Sequence, residues 1–215
     1  MGSVGGVNLT LRPAARTDLL VRCAIGTVTA AQAVISLLSL TFTLEVNPIR
    51  DPVSDYALHR ASRAWFTLAV LLALAGAGAL ALAARIVAMP VSTGAAVLFG
   101  LWALALVTVL VFRGNASAAE STVHGEVHRV AGAVLFGTLP SASASLSRQL
   151  LGRPGWARAS VRVRTGAVIG LITAFLFGVA QFVPTLPQGL LERIALLAEL
   201  AILVSVARAI RGATR

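Results

Sequence analysis

Apolar and polar positions fall along this chain in long blocks rather than in short alternation. Mostly apolar runs at about 19–44, 64–84, 91–112, 121–147, 165–183 and 190–210 are separated by short polar segments. A helix needs ~20 apolar residues to cross the hydrocarbon of a bilayer, so the pattern predicts an all-α bundle of six transmembrane helices forming one domain over 19–211. Residues 1–18, rich in Gly and then basic, read as a flexible tail. The densest polar block is Asn47–Arg63, NPIRDPVSDYALHRASR, which holds two of the eight acidic residues, one of the three histidines and three arginines.

Local signals refine these elements. In that block Asn47-Pro48 and Asp51-Pro52 disfavour helix before each proline. Asp51 as a capping acceptor with Pro52 at the first helical position predicts a helix that starts there and runs directly into the second span. Trp65 and Phe66 match an interfacial aromatic belt, and the following ALAGAGALALAA is small enough for close helix approach. Ser117-Ala-Ala-Glu120 has the capping-box pattern and predicts a helix entering the fourth span, where Pro140 should produce a kink. Ser141, Ser143 and Ser145 follow, expected to bond back to helix carbonyls. Pro184 and Pro187 mark the turn before the last span. No transporter-like internal repeat stands out.

Composition strengthens the membrane reading. The chain is 57% hydrophobic and 12% charged, against about 25% charged in a soluble domain, and its mean hydropathy is +0.87. The formal charge of +10 comes entirely from arginine on the basic side. These arginines flank apolar runs, so they point to membrane orientation and a lipid-bilayer partner, with no nucleic acid. Assigning loops alternately to two sides gives one side twelve arginines and the single acid Asp18. The other side has six arginines with Glu45, Asp51, Asp55, Glu120, Glu126 and Glu192. The positive-inside rule then places both termini in the cytoplasm, in the inner (plasma) membrane, and every histidine on the outer side. Cys23 stands alone and is expected to be an inert thiol, and the first run reads as an uncleaved anchor.

The candidate chemistry lies on that outer side. Asp55 and His59 are spaced to share a helix face, with Ser54 beside them, and Glu120, His124 and His128 form a stripe at i, i+4, i+8. Three imidazoles with carboxylates suit Zn²⁺, with His59, His124 and His128 as ligands and Asp55 or Glu120 as the catalytic base. The alternative is a structural ion-pair cluster, Asp55 with Arg60 or Arg63 and Glu126 with Arg129. Glu199 is the most isolated ionisable group. A charge at mid-bilayer costs ~2.5–3.5 kcal/mol on insertion scales, so Glu199 is either functional or hydrogen-bonded between helices, to Gln32, Gln181 or a serine.

NPIRDPVSDYA after the first run, H-G-x-x-H at the head of the fourth and the Glu192-Arg193 pair opening the sixth resemble the bacterial membrane proteins grouped as domain of unknown function 998. The resemblance covers about residues 20–210 and implies six transmembrane helices without an assigned activity. Its polar motifs fall here on Asp51, Pro52, Ser54, Asp55, His124, His128, Glu192 and Arg193. A weaker likeness is to the alkaline ceramidase and adiponectin-receptor membrane zinc hydrolases. The chain departs from them in having six runs rather than seven, in placing H-x-x-x-H on the fourth run, and in the Ser54–His59 spacing. The expected function is therefore an integral membrane protein whose outward polar cluster binds a small molecule, a lipid or a protein partner. The alternatives are a zinc-dependent hydrolase of lipid amides or esters and a proton-coupled transporter using Glu199.

Overall fold

The structure, a computed structural model, describes residues 13–115 and 121–213. Six long helices run in sequence: α1 Pro13–Thr41, α2 Arg63–Ile86, α3 Thr93–Val111, α4 Val123–Leu151, α5 Ala157–Ala180 and α6 Gln188–Ala213, with a 3-10 turn at Val53–Ala57 between the first two. Consecutive helices pack on one another, and α6 closes the ring against α1 while also touching α2 and α4. The α2–α3 seam is much thinner than the other seams between consecutive helices.

Among the described residues five helices, α1 to α5, are long and apolar enough to cross a membrane. Large apolar side chains such as Leu68, Leu71, Leu104, Ile172 and Phe175 cover their outer surface, an arrangement that hydrocarbon solvates and water does not. The α6 helix is not among the five, because Glu192, Arg193, Glu199, Arg208 and Arg211 interrupt its apolar sequence. Its charges are accommodated from within the bundle instead. Glu192 and Glu199 are buried, and Arg211 pairs with Asp18 of α1 at 3.2 Å.

Small residues set how closely the helices approach. On α1 the buried face is Val21, Ala24, Val28, Ala31 and Leu38, a helical stripe that meets α2. A Cβ at Gly76 of α2 would lie 2.7 Å from the Val28 side chain and 2.8 Å from Thr27 Oγ1. The small-residue run of α2 thus makes the close contact its sequence predicts.

Several boundaries differ from expectation. The α1 helix, Pro13–Thr41, already includes part of the stretch expected to be a tail. The α5 helix begins at Ala157 rather than near Thr165, so Arg158, Arg162 and Arg164 ride on helix, not loop. The capping box at Ser117–Glu120 lies outside the described residues. Thr122 caps α4 instead, its hydroxyl accepting from the Gly125 N–H at 3.0 Å. The α4 helix runs through Pro140, and Ser141 and Ser147 return their hydroxyls to the carbonyls of Gly137 and Ala144.

Candidate functional site

The polar block 47–62 does not form the continuous helix expected from Pro52. It makes a tight turn, then the 3-10 segment Val53–Ala57, and regains α-helix only at Arg63. The reason lies in its hydrogen bonds. Asn47 Oδ1 accepts from the N–H groups of Ile49 and Arg50, and Asp51 Oδ2 accepts from the Asn47 N–H at 2.7 Å. Asp51 therefore closes its own turn rather than capping a helix, as Asx side chains do in competition with regular structure. Farther on, Ser62 donates to the Tyr56 carbonyl and Arg63 to the Ala57 carbonyl. Arg63 is thus spent on backbone oxygens instead of on Asp55.

This folded loop is clamped onto the first turns of α6. The Leu190 N–H reaches the Ile49 carbonyl at 3.1 Å. Glu192 Oε2 accepts from the Val53 N–H at 2.8 Å. The Arg193 guanidinium donates to Ser39 Oγ, the Asp51 carbonyl, the Gly189 carbonyl and Tyr56 Oη, at 2.9–3.1 Å. Tyr56 itself is fully buried beneath the loop. Asp51, Glu192 and Arg193 are thereby brought together across more than a hundred residues of chain, as one joint between loop and helix. Asp55 stands at its edge. Burial, helped by the neighbouring Asp51 charge, pushes its carboxyl up to about 6, against the opposing pull of His59 and Arg193.

Beneath the joint lies a cavity of about 90 Å³ between α1, α2, α3, α4 and α6. Its wall is mostly apolar, with Phe66, Val70, Leu106, Leu135 and Phe136 prominent, and Ser54, His128, Glu192 and Glu199 supply the polar positions. Glu199 meets none of the partners expected for it. The Trp102 indole N–H of α3 donates to its Oε2 at 3.1 Å, while Oε1 is buried without a hydrogen-bond partner among the described residues. Gln32, one expected partner, donates to Ser36, and Gln181 accepts from Gln188. An indole and a carboxyl each stranded mid-helix in the sequence were the signal for this pair.

The histidines are placed differently from the Zn²⁺ expectation. His128 lines the cavity, and its Nδ1 lies 2.7 Å from the Phe112 carbonyl. His124 is exposed and stacks its ring against Phe112. His59 sits in the loop beyond the 3-10 turn, where the expected helical face with Asp55 does not exist. Among the described residues no group of three His, Cys, Asp or Glu side chains could hold a metal ion, and Glu120 lies outside those residues. The Glu126–Arg129 ion pair forms as expected on the surface of α4.

Six packed helices, five of them able to cross a bilayer, around an internal acidic cavity define a helical protein of the polytopic membrane class. The family model described as "Protein of unknown function (DUF998)" matches residues 19–209, and the chain belongs to that family. No curated protein and no solved structure matches it.

Proposed function

We propose that this chain is a multi-pass protein of the bacterial inner membrane, with both termini cytoplasmic, that binds a small, largely apolar molecule in the cavity beneath its outward-facing loop. The observation that carries this is the Glu199 carboxyl. It is a buried group with, among the described residues, one unpartnered oxygen, set in a mostly apolar cavity. A native core leaves few such groups, and each one calls for a reason. A pocket that is mostly apolar with a few polar anchors is the usual form of a small-molecule site. The Asp51–Glu192–Arg193 joint holds the loop as the roof of that pocket. The hydrolase alternative finds no ligand set among the described residues. Proton-coupled transport through Glu199 draws support from the same carboxyl, and it requires that Glu199→Gln abolish a pH-dependent flux.

The test uses n-butanol as a probe and Trp102 as the reporter, in a Trp65→Phe, Trp156→Phe background. Saturable change in Trp102 emission is expected in lipid nanodiscs. Ala73→Phe, which places a ring into the cavity wall, should abolish saturation. An identical response from the filled and unfilled chains contradicts the proposal.

A further inference from the structure

Carboxyl groups dominate the cavity's polar positions. Glu192 and Glu199 present carboxyl oxygens. His128 Nδ1 faces the Phe112 carbonyl, so in the neutral ring Nδ1 carries the proton and Nε2 is an acceptor. The indole N–H of Trp102 is already donated to Glu199. Among the described residues no arginine lines the cavity. The nearest guanidinium on α6, Arg193, is turned away to Ser39, Asp51, Gly189 and Tyr56. The wall is therefore rich in carboxyl and imidazole groups and, among the described residues, carries no guanidinium.

From this we infer that the ligand is a small organic cation, a primary ammonium on a short apolar stem, with the ammonium on Glu199 Oε1 and the stem against Val70, Leu106 and Leu135. This rests on the cavity-binding proposal and narrows it. A primary ammonium offers three N–H donors and a positive charge, which match an orphaned carboxyl oxygen in an apolar surround. Glu192 is the weaker anchor, because its Oε2 already receives the Val53 N–H. Size is set by the cavity. A 150 Å³ cavity holds benzene, so 90 Å³ fits a stem of roughly four carbons. Glu199 lies about two helical turns below Glu192, so one such cation reaches the deeper carboxyl and not both.

The experiment compares n-butylammonium, n-butanol and n-butyrate on the otherwise native chain, by Trp102 emission in zwitterionic nanodiscs. Butylammonium is expected to bind about tenfold or more tightly than butanol, as a charge-assisted hydrogen bond implies, and butyrate not at all. In Glu199→Gln the preference of butylammonium over butanol should disappear. Equal affinity for butylammonium and butanol, or a preference for butyrate, overturns the inference and leaves the cavity proposal standing. If no probe perturbs Trp102, both fall. The comparison of the three probes needs no change at Glu199, so it decides the matter even where Glu199→Gln does not fold.

Discussion

Gly189→Ala is the sharpest test of the joint between loop and helix. Gly189 lies in the first turn of α6, and a Cβ built on it would collide with the backbone N, C and O of Asp51. Backbone cannot swing aside as a side-chain tip can, so the loop must lift from α6. Three bonds are then at risk: Leu190 N–H to Ile49, Val53 N–H to Glu192, and Arg193 to the Asp51 carbonyl. A neutral bond contributes ~0.5–1.5 kcal/mol and one to a charged group ~1.5–3 kcal/mol, so loss of all three costs about 3.5–7.5 kcal/mol. Opposing this, alanine is favoured over glycine in helix by ~1 kcal/mol at most. The expected balance for full loss is a net destabilisation of about 2.5–6.5 kcal/mol. Gly100→Ala in α3 is the control, since its Cβ would meet nothing within 4 Å, and it should be neutral or slightly stabilising. Reversible unfolding in mixed detergent–SDS micelles reads both. If Gly189→Ala is as stable as Gly100→Ala, the loop is not held against α6 as described.

Two further outcomes follow from single groups. Trp102→Phe keeps the ring in the cavity wall but removes the one hydrogen bond that the Glu199 carboxyl makes among the described residues, and should cost about 0.5–3 kcal/mol in the same unfolding assay; a change near zero would show the pair to be incidental. Asp55 is raised from 3.8 to about 6, so between those values the folded chain holds a proton that the unfolded chain releases. The associated stability is complete below 3.8, falls as pH rises and is gone above about 6. Asp55→Asn should therefore flatten the fall in stability between about pH 4 and about pH 7, and a parallel slope in both proteins would refute the assignment.

The bundle was legible because lipid-crossing helices announce themselves by length and apolarity, and each apolar run became one helix. The polar residues were legible as important but not as to role. Asp51 before Pro52 has the form of a helix cap, and only the competing bond to its own turn at Asn47 cancels it. Glu192 and Arg193 were visible as a pair opening a helix, whereas their partners, Val53 and Tyr56, lie more than a hundred residues away. Spacing on one helix predicts neighbours along that helix and nothing across the bundle. The same limit hid the Trp102–Glu199 bond. His124 and His128 do share α4, whereas His59, read onto a helix face with Asp55, follows a 3-10 turn instead.

The acidic cavity is tested most directly by thiol chemistry at its wall. With Cys23→Ser as background, Leu106→Cys puts a single thiol where Leu106 now lines the space. A cationic methanethiosulfonate, ethylammonium-substituted, should modify it at least about tenfold faster than the anionic ethylsulfonate reagent, and n-butylammonium should protect it. Equal rates, or faster reaction with the anion, would contradict the account.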